Sequence, residues 1–491
     1  MKKSIFWLLP LLLLSSCGPS GQGGTSVSGD VSQLIFSKFD GNLEKERGAV
    51  LHILENDLAK ESGYLQELLD GFNKKYAEYG ITAVDANLDE YTDLVNSGPY
   101  GTGPDVLYQA NDSLMKYVPG KHILPIPVDR LECYDQVSQI GWDTFTSDAN
   151  YNSTFTYGVP VNIQTPLLYY RKDLLPSDWQ TNWDDNKNNI PDMVETWNSM
   201  YQYSKQLKES SGGTKFGFMR AMQDSYFVSG FLFTYGAYIF GNNNKDTKDI
   251  GMHNGNAKYG AKFIRDFSAV MDNRCTDLTI NATGYSLLAN GEMFATTNTP
   301  DTTRSYITTF RDVLTNPTGQ YKMTTEEADK YIDENLVITT LPKMPKNGDV
   351  TDPNETEFID TTMMGGIHGY SISAYTKYPN ACLAFLDYAT SYELLKNRTE
   401  TLQLSPARED LAEVTTPINK EIYNMLENGT IYMMPSIEEL ALFWPSAQTL
   451  YADLATDGLR KDNFRYDTLD KIQAALEKLS KDVYDAIWTL Q

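Results

Sequence analysis

Cysteine is scarce in this chain: Cys17, Cys133, Cys275 and Cys382 are the four among 491 residues, and no two form a C-x-x-C pair. That excludes a zinc ribbon and a dithiol redox motif, and it leaves Cys133, Cys275 and Cys382 as expected buried structural thiols. Histidine is equally sparse, with His52, His122, His253 and His368 far apart, so a histidine-rich metal site is not expected. Positive charge is in deficit, 41 basic against 65 acidic residues for a formal net of −24. Such a chain repels nucleic acid and anionic lipid surfaces, which removes both as charge-driven partners. The N-terminal apolar run, 5–14, is too short to span a bilayer permanently but suits a secretory signal.

What the chain does have is length for two or more domains and 32 tyrosines. Tyrosine joins a flat apolar ring to a polar tip and suits surfaces that grip polar ligands. Lys2 and Lys3 precede the apolar run, and Leu14-Ser15-Ser16-Cys17 follows it. This resembles the lipobox of bacterial lipoproteins, which implies residues 1–17 as signal peptide and lipobox and lipidation at Cys17. A Gly/Ser-rich stretch follows, and residues 18–48 are expected to be a flexible tether.

Val50 to Leu54 reads as a strand, and Leu65, Leu68, Leu69, Phe72 and Tyr76 share one helical face, with Ser62 as the expected N-cap. Val106-Leu107-Tyr108 follows the turn Gly103-Pro104-Asp105, and this spacing predicts a βαβ unit in a parallel sheet. Ligands in such sheets sit beyond the carboxyl ends of the strands, where Asn56, Asp57, Gln109, Asn111 and Asp112 fall. The stretch from Tyr157, apolar through Tyr170, reads as a further buried strand whose first half stops at Pro160, which has no N–H for a ladder. Residues 184–195, Asp-Asp-Asn-Lys-Asn-Asn-Ile-Pro-Asp-Met-Val-Glu, place oxygen ligands at positions 1, 3, 5, 9 and 12 of a twelve-residue loop. Asp184, Asn186, Asn188, the Ile190 carbonyl, Asp192 and Glu195 are therefore a candidate set for structural Ca2+. The run also resembles the Asp-x-Asp-x-Asp-Gly loops of calcium-stabilised bacterial proteins, with Asn189 at the usual glycine; asparagine tolerates the left-handed turn.

Several segments, in order, resemble the extracellular solute-binding proteins of bacterial ABC transporters of the maltose-binding type. They are Gly103-Pro104-Asp105-Val106, the stretch 157–175 as first crossover between lobes, and Gln223-Asp224-Ser225-Tyr226-Phe227. Gly291-Glu292, Leu341-Pro342 as second crossover, Leu404-Ser405-Pro406-Ala407-Arg408 and Pro435-Ser436-Ile437…Phe443-Trp444 continue the series. The resemblance implies an α/β, two-lobed periplasmic-binding-protein-like (Venus flytrap) fold with a ligand cleft between lobes. Residues 49–162 and 342–412 would form the first lobe, and 163–341 and 413–491 the second.

It also implies a binding protein and not an enzyme: a monomer, lipid-anchored at the extracellular face of the cell membrane, that captures a carbohydrate by hinge closure and delivers it to permease subunits. Asp57, Asn111, Asp112, Gln164, Asp224 and Asp301 would accept or donate hydrogen bonds to hydroxyls. Tyr108, Tyr226 and Trp444 would lie against ring faces. Asp301 stands where the family carries a tryptophan platform, Gln109 replaces another tryptophan, and Gln164 replaces a glutamate, so maltodextrin itself is in question. A surface glycoside hydrolase needs two carboxylates flanking one bond, and no motif isolates such a pair. A polyamine- or peptide-binding protein is the other alternative that an acidic pocket would suit.

Overall fold

The computed structural model describes residues 28–489 apart from Asn152. Among them the first lobe is built on a seven-stranded sheet. Val50–Leu54 pairs in parallel with both Thr82–Asp85 and Val106–Ala110. The helix Tyr64–Lys75 crosses over this sheet and buries Leu65, Leu68, Leu69 and Phe72. Its cap is Gly63 at φ +81, not Ser62, which instead closes the short helix Asp57–Glu61. The corner between the two helices needs a positive φ, and a residue without Cβ takes it most easily.

The long strand Met363–Ile372 lies antiparallel to Val106–Ala110 on one side and to Val159–Gln164 on the other. Val159–Gln164 does not stop at Pro160 but runs through it. The register slips between His368 and Gly369 where Pro160 lies opposite, and a bulge is the place where a strand tolerates a residue without an N–H. Only Thr165 and Pro166 separate this strand from Leu167–Arg171, which belongs to the second lobe's sheet. That sheet has the order Leu336–Thr339, Leu167–Arg171, Met293–Asn298, Phe216–Phe218. Behind it Trp197 meets Phe218, Phe231, Phe263 and Phe267 edge-on at 5.1–5.6 Å, an aromatic core that excludes water.

Three boundaries fall elsewhere than the pattern suggested. Residues 343–352, expected in the first lobe, bond to the second: Trp197 N to the Lys343 carbonyl, and Asn198 Nδ2 to the Asp349 and Asp352 carbonyls. The chain re-enters the first sheet only at Met363. Conversely, residues 413–433 stay with the first lobe. Asn419 accepts a bond from Ser405 Oγ, and Ile431–Met433 runs parallel to the start of Met363–Ile372. The third crossover therefore comes near Met434, before the helices Leu440–Gly458 and Leu469–Trp488 pack on Ala257–Ser268 of the second lobe. The tether, too, is shorter than expected. Ser28–Phe36 is helical, Phe39 is buried, and the buried Glu46 carboxylate accepts the backbone N–H groups of Asn380 and Ala381.

The hinge strands approach one another closely. A Cβ on Gly365 would meet the Gln164 carbonyl oxygen at 2.8 Å, so the glycines before His368 serve the crossover itself.

Candidate functional site

The carboxyl ends of Val50–Leu54 and Val106–Ala110 open between the lobes, where a parallel sheet presents its ligands. A cavity of about 230 Å³ is bordered there by Asp57, Glu90, Tyr108, Gln109 and His368 of the first lobe. Gln164 of the crossover and Asp301 of the second lobe close it. Asp301 sits in the turn Pro300–Thr302 directly after the strand Met293–Asn298. Burial pushes its carboxyl up, hydrogen bonds from Thr299 and Gln164 pull it down, and the Glu90 charge adds to the rise. Three buried polar atoms of these lining residues have no hydrogen-bond partner: Asp301 Oδ1, Gln109 Oε1 and His368 Nδ1. Buried polar atoms are nearly always satisfied, so three beside one cavity mark a surface built to receive polar groups.

His368 stacks on Tyr108 with ring centres 5.5 Å apart. Burial, helped by the nearby Arg398 charge, lowers its pKa to about 4, so the imidazole is neutral at pH 7. Neither Glu90 nor Tyr91, which also borders the cavity, carried a motif, because both lie in an irregular loop that only the folded chain carries to the cleft. His368 left one faint sign, an ionisable residue in a mostly apolar, glycine-bearing strand.

A second group of expected residues lies beside the first. The Tyr226 phenol is pushed up by burial and by the charges of Asp301, Asp112 and Asp224, so it stands among carboxylates of both lobes. Asp224 precedes the helix Ser225–Phe233, and its Oδ2 accepts bonds from Arg220 Nη2 at 3.1 Å and Asn281 Nδ2 at 2.8 Å. Arg220 lies 3.4 Å over the Phe227 ring. Arg220 Nε and Asn281 Oδ1 are again without partners. Asp112 is half-buried, and burial raises its carboxyl.

Other expected contacts are placed differently. Asn111 is enclosed and fully bonded: Nδ2 donates to the Met434 carbonyl and Ser436 Oγ, and Oδ1 accepts from Ile367 N. It clamps the third crossover to the first sheet and has nothing left for a ligand. Tyr108 borders the cavity at only 2% exposure, with its hydroxyl committed to Asn162 Oδ1 and Arg398 4.1 Å from its ring centre. Trp444, in the second turn of Leu440–Gly458, is half-buried beside Phe443 and does not border this cavity. Arg408 is bound to Glu132, Asp410 and the Thr390 carbonyl, which makes it a structural cation.

Away from the cleft, the loop 184–195 folds on itself. Asp184 Oδ1 and Oδ2 accept the N–H groups of Asn188 and Asn189, and the Asn186 and Asn188 amides converge on the two Glu195 oxygens. Asn189 takes φ +65, the turn that glycine makes in such loops. Nearby Asp185, Glu195 and Asp184 add to the burial that raises Asp192. Among the described residues no three His, Cys, Asp or Glu side chains form a metal cluster. The loop's oxygen set depends on its two asparagines. Cys133, Cys275 and Cys382 are free, buried thiols, and Cys17 lies outside the described residues.

Two α/β lobes joined by three closely spaced crossovers, with unpartnered polar atoms lining the cleft between them, define a hinged binding protein. The chain belongs to the bacterial extracellular solute-binding proteins, whose family model matches residues 67–424. A galactooligosaccharide-binding protein of Bacillus subtilis is 24% identical over 466 residues, 93% of this chain and 92% of that protein. A maltodextrin-binding protein of the same organism, MdxE, is 25% identical over 420 residues, 83% and 85% of the two. In structure, the maltose-binding protein MalE of Listeria monocytogenes, solved with maltose, superposes with a TM-score of 0.66 at 20% identity, covering 90% of this chain and 99% of that one. The two-lobed fold and the binding role, as opposed to catalysis, agree with the expectation.

Proposed function

We propose that the protein captures a carbohydrate between its lobes by hinge closure and delivers it to the permease of an ABC importer. The unpartnered Asp301 Oδ1, Gln109 Oε1 and His368 Nδ1 beside one interlobe cavity carry this reading. Sugars offer hydroxyls to such atoms and weakly apolar ring faces to aromatics such as Tyr91 and Tyr226. The named ligands of the relatives support the same class. Because Asp301 comes from one lobe and Gln109 and His368 from the other, a ligand that bonds to all three favours the closed arrangement over the open one. Titration with maltotriose and with galactooligosaccharides, followed by calorimetry, tests it. Heat and saturation with at least one sugar are expected. Silence across a carbohydrate library, with the protein folded, overturns the assignment.

The same proposal includes a lipid anchor at Cys17 that holds the monomer at the extracellular face of the cell membrane. It also includes a calcium ion held by Asp184, Asn186, Asn188, the Ile190 carbonyl, Asp192 and Glu195. Calcium bound there would tie the loop to the helix Trp197–Ser210 that follows and would stabilise by mass action, about 2.7 kcal/mol at a hundredfold excess over Kd. Chelation should therefore lower the melting temperature, and Glu195→Ala should remove that response. A melting curve indifferent to chelator and calcium overturns the calcium assignment.

A further inference from the structure

We propose that the group seated against Asp301 is a protonated amine, which makes the solute an amino sugar. This rests on the carbohydrate reading above and narrows it.

Asp57, Glu90 and Asp301 border one cavity of about 230 Å³, and no lysine or arginine borders it with them. Lys60 pairs with the exposed Asp57 carboxylate at 3.6 Å and donates to the Leu88 carbonyl, while Arg398 holds Glu55 and Arg220 holds Asp224, so none of these cations pairs with Glu90 or Asp301. Gln109 is 8% exposed, gives its Nε2 to the Glu90 carbonyl at 2.8 Å, and leaves Oε1 without a partner. Asp301 Oδ1 is likewise unpartnered.

The cavity thus gathers two carboxylates without a cation, Glu90 and Asp301, and a free amide oxygen, with neutral His368 at its edge. An ammonium group brings three donors, no acceptor and a full positive charge. A hydroxyl brings one donor and leaves the carboxylates' mutual repulsion in place. Bonds from an ionised donor to a carboxylate are also roughly twice as strong as neutral ones. A buried carboxylate without a countercharge is costly, and a ligand amine supplies the charge that the protein does not.

The test compares four probes by calorimetry near pH 6, where a sugar amine is protonated: the glucosamine trimer, its N-acetylated form, maltotriose and spermidine. The glucosamine trimer should bind about tenfold or more tighter than either neutral trisaccharide, the worth of one charge-assisted bond. Asp301→Asn, which keeps the shape but removes the charge, should erase that preference without lowering the melting temperature. Neutral sugars binding as tightly as the amine would overturn the proposal and leave the carbohydrate reading standing. Spermidine binding with no sugar binding would overturn both. No binding of the glucosamine trimer to folded protein, or a preference unchanged in Asp301→Asn, also overturns it.

Discussion

Two buried polar clusters meet at the Tyr108 and His368 rings, one inside the first lobe and one between the lobes, and they differ in one respect. Behind the cleft, Glu55 and Arg398 are fully enclosed and joined by bonds of 2.8 and 3.2 Å. Arg398 Nε reaches Asn162 Oδ1, which also accepts the Tyr108 hydroxyl, and the Tyr370 hydroxyl donates to Glu55. Both Glu55 oxygens and all three Arg398 nitrogens have partners. In the cleft, separated from this network by little more than the Tyr108 and His368 rings, Gln109, His368 and Asp301 each keep an unpartnered atom. A closed network holds the fold together, because removing any member strands another in a dry interior. An incomplete one beside a cavity is completed by a ligand.

The sharpest way to break that contrast is Arg398→Met. It leaves Glu55 as an uncompensated buried charge and should cost about 3–5 kcal/mol of stability. Denaturant unfolding reads it directly. The double variant Glu55→Gln/Arg398→Met should regain part of the loss, and a single variant as stable as wild type would place the pair outside the stabilising network.

On the ligand side the effect should move from stability to affinity. Trp444→Ala, if that ring meets the sugar beyond the Asp301 cavity, should weaken binding by about 2 kcal/mol, roughly thirtyfold, with the melting temperature kept. Equal affinities would remove Trp444 from the site, and an unfolded variant would assign it to the core with Phe443.

A further effect is a pH slope. The ordinary histidine pKa of 6.5 falls to about 4 at His368 in the folded chain. Between those values the unfolded chain binds more protons than the folded one, so stability falls with acid. His368's share is complete above about pH 6.5 and is lost as pH drops toward 4. His368→Gln should flatten the stability profile in that window, measured by denaturant titration at several pH values. An unaltered profile would mean that the imidazole is not held neutral by its surroundings.

Much of the architecture was legible because it follows from local rules. Apolar runs bounded by turns became the strands Val50–Leu54 and Val106–Ala110, and a period-3.6 stripe became Tyr64–Lys75. The colinear motifs placed the first crossover within 157–175, with the lobe boundary at 162/163, and in the folded chain it falls at Thr165-Pro166. What misled was the weight given to single residues. Pro160 was read as a stop, yet a bulge in its own strand, with Val161 as the extra residue, accommodates it. Asn111 looked like a ligand contact because it follows a strand, yet both ends of its amide clamp chain that lies more than 250 residues away.

By itself, then, the sequence determined individual strands and helices, the shape of the loop 184–195 and the burial of three thiols, since periodicity, turn chemistry and residue type act over a few neighbours. The two-lobed α/β class was implied by the resemblance of its motifs to the solute-binding family. Tertiary structure alone decided which polar groups are satisfied. Glu55 and Arg398 lie 343 positions apart, and so no local pattern could pair them. Glu90, His368 and Asp301 reach one cavity from three distant segments. Whether a buried carboxylate holds the fold or awaits a ligand depends on the partner within 3 Å, and that is set only when the lobes close around it.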